Sequence, residues 1–347
     1  MALPSRGLRL LLSQDISVHV TRKDSRDDAQ ATQYLEHRVR SAAKADGMIR
    51  RILFLLLRVT AVPFVLREIF QRNRVTILCY HDPDPDTLDK HLRFLSRHYN
   101  FVSLQDYLDC TRRKHGVSLP IKSLILTLDD GHRGNAKLKN VLERHNVSAT
   151  IFVCSDIAGT SRHFWWNAGL TKKQVEELKH VPDSQRLARL SELGFDERRE
   201  YPDRQALSDE EIAELRSHVE FQAHTRFHPV LPRCDRMRAT DEIEGSKFHL
   251  ESRFGFRISA LAYPNGDYSK RDVDLVRNAG YQCALTLDPG YNSVDSDPFR
   301  LKRVPIYDSA GVSEVCVKAS GFWEVLRRMF ARSMARTLES VSVAANE

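Results

Sequence analysis

The chain has 347 residues, 41% hydrophobic and 29% charged, enough length and apolar content for one large domain or two modest ones, which excludes a disordered or low-complexity protein. The net charge of +7 does not describe a nucleic-acid groove: residues 1–76 hold 14 Lys/Arg against 7 Asp/Glu, while residues 77–347 hold 39 of each. The excess is N-terminal, so no nucleic-acid partner is expected. Six cysteines occur without C-x-x-C spacing, several inside apolar runs, which argues against a zinc ribbon or redox pair and for reduced, buried thiols.

In chain order, residues 1–47 are polar, with alternating charge over Thr21–Asp28, and read as a weakly ordered extension. Met48 is a candidate physiological start. It opens a basic flank (Arg50, Arg51) and an apolar run, Ile52–Leu66, broken by Arg58 and Pro63. The pattern resembles a signal peptide, but no small-residue cleavage site follows. The run is also shorter than the ~20 residues that span a bilayer. Residues 48–74 are therefore expected to form a basic apolar helix, either packed on the domain or anchored peripherally at a membrane through 49–67 by Arg50, Arg51, Arg58, Arg67, Arg72 and Arg74. Lack of a cleavable signal favours a cytoplasmic location, with the membrane face as a variant.

From residue 75, short apolar runs alternate with amphipathic stretches. Strands are expected at Val75–Tyr80, Leu124–Leu128, Ala149–Val153, Val219–Ala223, Ile258–Tyr263, Cys283–Leu287 and Val304–Tyr307. Helices are expected at Thr87–His98, Leu104–Arg113, Asn135–Arg144, Ser208–Ser217, Ala239–Phe254 and Lys270–Ala279. This alternation predicts an α/β fold, a parallel sheet or barrel with helices outside and the site at the carboxyl ends of the strands. Residues 309–347 read as an amphipathic helix, with Trp323, Leu326, Met329 and Phe330 on one face, and a tail.

Three strand ends stand out. Leu128-Asp129-Asp130-Gly131 places two carboxylates at an apolar strand tip, costly unless a cation offsets them; the plain alternative is a turn or helix cap. His224 and His228 lie four apart, and on a helical turn they would point the same way and share a metal. Tyr263-Pro264-Asn265-Gly266 makes a tight loop whose backbone N–H groups could hold an oxyanion, or an ordinary turn capped by Ser269.

Together, Thr-x-Asp-Asp-Gly, His-Thr-x-x-His-Pro and Ala-Tyr-Pro-x-Gly resemble the polysaccharide deacetylases, the NodB-type family-four carbohydrate esterases. Ile77-Leu78-Cys79-Tyr80-His81 and Phe299-Arg300-Leu301-Lys302-Arg303-Val304-Pro305 resemble their poly-N-acetylglucosamine deacetylase branch. The resemblance covers residues 75–308. It implies a distorted, incomplete (β/α) barrel of about seven parallel strands and one divalent metal, usually zinc, with cobalt, nickel or manganese as alternatives. Asp130, His224 and His228 would be the ligands. Asp129 would be the base acting on metal-bound water, and Tyr263, Pro264 and Asn265 would meet an N-acetylated glycan (an N-acetylglucosamine polysaccharide or lipid-linked oligosaccharide).

The sequence departs from the family at several points, one of them Asn265, where many members have a tyrosine after the proline. Many members carry an arginine against the base two residues before the proline; here that position is Ala262. A terminal Leu-x-His that supplies the acid is replaced by Leu301-Lys302-Arg303. His81, at the first strand tip, is the candidate acid. His132 stands where the family has an aromatic residue. An insertion at about 156–207 carries Phe164-Trp165-Trp166, with Trp165 a candidate sugar platform or a buried cap residue. Arg300, Arg303 and Tyr307 are further candidates for substrate contact. Other readings are hydrolysis of another non-peptide C–N bond, a carbohydrate-binding protein with a degenerate site, and a membrane-attached scaffold.

Overall fold

A computed structural model describes residues 47–113 and 118–329. The extension expected over 1–47 lies almost wholly outside the described residues, as does the tail beyond 329.

Among the described residues eight strands, all parallel, form one sheet: β1 (Val75–Tyr80), β2 (Asn100–Phe101), β3 (Ser123–Leu128), β4 (Ala149–Val153), β5 (Val219–Ala223), β6 (Ala260–Ala262), β7 (Cys283–Leu285) and β8 (Val304–Pro305). Seven follow the order β7-β6-β5-β4-β3-β1-β8, and β2 pairs with the start of β3. The sheet curls into a half-barrel with helices outside, as the alternation predicts. Leu301 bridges to Leu285 at β7, and Val304, three residues later, pairs with Leu78 on β1. One short segment thus draws the two edges of the sheet together.

Among the described residues the α-helices are α1 (47–59), α2 (Pro85–Leu95), α3 (Leu104–Arg113), α4 (Lys139–His145), α5 (Lys172–Lys179), α6 (Asp183–Glu192), α7 (Asp209–Leu215), α8 (Arg236–Phe254), α9 (Lys270–Asn278), α10 (Val312–Ala319) and α11 (322–329); after α1 and a bend at 60–61, a short helical turn, Val62–Val65, runs into a π-helical turn, Leu66–Phe70. Several start where side chains satisfy the first free N–H groups: Asp84 with Pro85 behind it for α2, and Ser208–Glu211 and Ser269–Asp272 capping boxes for α7 and α9. The side chains of each strand alternate between two clusters. Leu78, Tyr80, Leu126 and Leu128 pack under α2, α4, α8 and α9. Ile77, Ile125, Phe152, Ala260 and Leu285 fill the other face with α3. That period-2 pattern carries Thr127 and then Asp129 onto the second face.

Differences from expectation are local. β6 is shorter than Ile258–Tyr263 because the Gln222 side chain accepts the N–H groups of Ser259 and Ala260, both at 2.9 Å, in place of a ladder. The helix expected at Asn135–Arg144 opens as a 3-10 turn, Arg133–Leu138, before α4. The two-residue β2 was not anticipated, and the helix expected within 309–347 is two among the described residues, α10 and α11. All six cysteines are buried, and none forms a disulfide. Among the described residues no helix is long and apolar enough to cross a membrane.

Candidate active site

The ends of β1, β3, β5, β6 and β8 converge on an open cleft of about 820 Å³ lined by His81, Asp129, Asp130, His224, His228 and Asn265 on the sheet side. The insertion supplies the facing wall, with Trp166, Lys172, Val175 and Glu176. The two adjacent carboxylates have different fates. Asp129 continues the inward register of β3 and is 2% exposed. Asp130 takes φ +71° and Gly131 φ +73°, reversing the chain. A side chain at Gly131 would lie 2.6 Å from Val153 Cγ1, so only glycine fits there.

Asp129 is held by Arg303, whose Nη1 and Nη2 donate to Oδ1 and Oδ2 at 2.7 and 2.8 Å. The Cys79 thiol also donates to Oδ2, at 3.4 Å. Burial pushes the Asp129 carboxyl up, but the guanidinium outweighs it and leaves the group below its usual range. Arg303 is fully buried, so the expectation that it touches substrate is corrected. It lies between the bridge at Leu301 and the pairing at Val304, which aims it inward. Sequence reading registered a missing arginine at Ala262 and did not see that the arginine just before the last strand reaches the same carboxylate. The available signal was that position, directly ahead of the Val304–Pro305 strand.

Asp130 has no such partner. Its Oδ2 lies 3.0 Å from His132 Nε2. Its Oδ1 is buried without a hydrogen-bond partner and sits 3.4 Å from both His224 Nε2 and His228 Nε2. Burial raises Asp130, yet the imidazoles of His132 and His224 hold it well below the carboxylate range. His224 Nδ1 donates to the Ala262 carbonyl at 2.8 Å, which turns Nε2 toward Asp130. Burial drives His228 down to about 3, so this imidazole is neutral at pH 7, as a ligand must be. The residues therefore fit a divalent ion: two imidazole nitrogens and one unpartnered buried carboxylate oxygen, all within 4.8 Å. Arg303 offsets one of the two buried aspartates, and a cation would offset the other.

The histidine pair does not ride on a helical turn, as the spacing suggested. Thr225 and His228 have φ of +64° and +58°, and the loop is tied down from outside. Glu242, fully buried on α8, accepts the N–H groups of Arg226 and Phe227 at 2.7 and 3.0 Å. Thr225 Oγ1 accepts from the His228 N–H at 3.2 Å, and Trp165 Nε1 donates to the His228 carbonyl at 3.0 Å.

The other expected residues divide. His81 lines the cleft beside Asp129, its N–H donating to Asp308 at 3.2 Å. Asn265, left-handed at φ +56°, lines it too, and its Nδ2 is buried without a partner. Tyr263 and Pro264 are off the wall: Tyr263 is fully buried, packed on Tyr268, with its hydroxyl donating to the Phe299 carbonyl. The strand's alternation turns Tyr263 toward the core, which corrects its placement against substrate; Pro264 is buried at the start of a 3-10 turn. Trp165 reaches the cleft but is only 2% exposed, stacked under the Arg186 guanidinium. Trp166, half-buried and edge-on to His228, is the more open indole. Tyr307 lines the rim, while Arg300 lies outside it near Asp297.

A parallel half-barrel whose strand tips carry an Asp-Asp pair and two converging histidines defines a class: an α/β fold with a group of side chains at its strand ends that could hold a metal ion. A family model described as polysaccharide deacetylase matches residues 116–284, so this stretch is a polysaccharide deacetylase domain of the NodB type. No curated protein matches the chain. Among solved structures, the Streptococcus pyogenes deacetylase PplD is 18% identical, with TM-score 0.53 over 72% of this chain and 99% of that one. IcaB from Ammonifex degensii is 19% identical, with TM-score 0.52 over 72% and 98%. A polysaccharide deacetylase from Bacillus cereus is 20% identical, with TM-score 0.51 over 72% and 69%. At these identities the likeness establishes the fold.

Proposed function

We propose that the protein is a metal-dependent hydrolase that removes N-acetyl groups from an N-acetylated glycan, in the manner of the poly-N-acetylglucosamine deacetylases. The observation that carries this is the division of the Asp129–Asp130 pair: one carboxylate locked to Arg303, the other left open between two imidazoles. Asp130, His224 and His228 would hold the ion. Zinc suits a set of two histidines and a carboxylate; cobalt, nickel and manganese accept similar donors. When bound, the ion would polarise the acetyl carbonyl and lower the pKa of a water beside it.

The chain's own residues supply the rest. Arg303 keeps Asp129 ionised and fixes its plane, and Asp129 accepts the proton of the water that attacks the acetyl carbon. The backbone N–H of Asn265 is offered to the developing oxyanion. His81 donates a proton to the nitrogen as the C–N bond breaks, so acetate and a free amine leave. Trp166 gives a sugar ring an apolar face. Arg303 also answers the motive for a degenerate binding protein, since the base does not lack an arginine.

The test is acetate release from N-acetylglucosamine oligomers of different linkage by zinc- or cobalt-loaded protein, with Asp129→Asn in parallel. Release by the wild type and a loss of ~10³-fold in the variant is expected, within the range for removal of a general base. A wild type that binds one metal per chain and releases no acetate would point to another C–N bond or to binding alone.

A further inference from the structure

Helix α1 is apolar on two sides. One side, Phe54 with Leu57, packs against Val317, Phe322, Trp323 and Leu326 of α10 and α11. The other side carries Met48, Ile49, Ile52, Leu55, Leu56 and Val59, 49–73% exposed. Their spacing of three, four and seven makes one continuous stripe facing away from the protein. Past the bend at 60–61, Phe64, Ile69 and Phe70 add further exposed apolar side chains, 59–65% exposed. A soluble monomer rarely leaves so long a contiguous apolar surface uncovered.

Its charged border is of one sign. Arg51, Arg58, Arg72 and Arg74 are exposed along residues 47–74. The only acid in that stretch, Glu68, is bound by Arg67 at 2.8 Å and Lys122 at 2.9 Å. An apolar stripe edged by unopposed arginines matches an anionic lipid surface, where the side chains enter the acyl boundary and the guanidiniums meet headgroup phosphates. A second copy of the chain is a poorer fit, because a two-fold contact would bring the same arginines against one another.

The same helix touches the cleft. Arg50 lies on its rim, paired with Glu314 and with its guanidinium 4.4 Å from the Tyr307 ring centroid. At ~1.5 Å rise per residue, the exposed Ile49 and Ile52 are only a few ångströms along the axis from that rim residue. We infer that residues 47–70 dock the protein on an anionic membrane surface, and that the cleft then opens beside that surface onto glycan carried by the membrane. The docking stands on its own observations; the choice of substrate rests on the deacetylase reading above.

The experiment uses the full chain and vesicles of phosphatidylcholine, alone or mixed with phosphatidylglycerol. Ile52→Asp/Leu55→Asp/Leu56→Asp, at three exposed positions, is the variant, and Arg51→Gln/Arg58→Gln is a second that leaves the apolar stripe intact. Co-sedimentation with the anionic vesicles is expected for the wild type, abolished in the first variant and weakened in the second. Wild-type protein that stays in the supernatant overturns the docking, whether as a monomer covered by its own residues 1–46 or as a dimer on a sizing column. Binding that the first variant retains overturns it equally. In the second arm, acetate release is compared between an N-acetylglucosaminyl lipid in the vesicles and a soluble oligomer. An advantage of at least tenfold for the vesicle-borne substrate, lost in the first variant with soluble activity unchanged, supports the substrate assignment; equal rates overturn it. Silence on both substrates with sedimentation intact refutes the deacetylase reading and leaves the docking supported.

Discussion

The two walls of the cleft are built differently. On the sheet side, Asp129, Asp130, His224 and His228 are 1–6% exposed; Arg303 holds Asp129 and the Ala262 carbonyl holds His224, while Asp130 and His228 each keep one buried polar atom without a partner. On the insertion side, Trp166 and Val175 are half-buried and Lys172 and Glu176 exposed, carried by short helices with a small core of their own around Trp165, Leu178 and Leu190. Buried charge makes the first wall intolerant of change, because every group lost there leaves another uncompensated. The second wall exchanges contacts with solvent and can vary at little cost. Reaction chemistry is therefore expected from the first wall and glycan preference from the second.

The largest effect should come from Asp130→Ala. Loss of the carboxylate between the imidazoles is expected to weaken metal binding by more than ~100-fold, read by metal content after dialysis, and to take acetate release to background. Chelation of the wild type should lower Tm, since a bound ion at 100 times its Kd stabilises by ~2.7 kcal/mol. A Tm unmoved by chelator, with metal verified in the starting protein, would remove the ligand assignment.

Arg303→Met comes next. It strands Asp129 in the interior, at a cost of about 3–5 kcal/mol for a broken buried pair, measurable by denaturant unfolding. The sign with pH follows from the depressed carboxyl of Asp129. The stabilisation by Arg303 is present above the unfolded pKa of an aspartate and fades as pH falls through the lower folded value. Wild type and variant should thus differ most near neutrality and converge in acid. Without the guanidinium the carboxyl titrates higher, so the acid limb of the pH–rate profile should move to higher pH. An unmoved limb would separate Arg303 from the base.

Trp166→Ala should be the mildest, raising KM for oligomers several-fold with kcat nearly unchanged, in line with the ~0.5–1.5 kcal/mol of an aromatic contact. A fall in kcat equal to the loss in kcat/KM would show that the indole acts on the metal loop through His228 instead, and would erase the contrast between the two walls.

Much of the framework was legible in the residues. β1, β4 and β5 fall on the apolar runs that predicted them, and the Asp129–Asp130 tip and the His224–His228 pair were visible as strand-end polar clusters. Strand periodicity and abrupt polarity at strand ends are local properties, so a linear reading can find them. The same reading misplaced Tyr263 and put the histidines on a helical turn, because loop backbone is set by what grips it. Here the grips are Glu242, some 15 residues onward, and Trp165, about 60 residues earlier.

Arg303 marks the boundary most clearly. In the chain it lies 174 residues from Asp129, and its sequence neighbours do not say which carboxylate it meets. The curl of the sheet, drawn in by the Leu301 bridge and the Val304 pairing, brings it there. The apolar stretch at 49–67 is of the same kind: composition by itself allowed a packed helix or an anchor, and only packing on α10 and α11 determined which side of it faces out. Local periodicity and polarity decide which elements form and where chemistry collects, since they act over a few residues. Closure of the sheet decides which distant charges meet, because burying Asp129 required a partner that no nearby residue could provide.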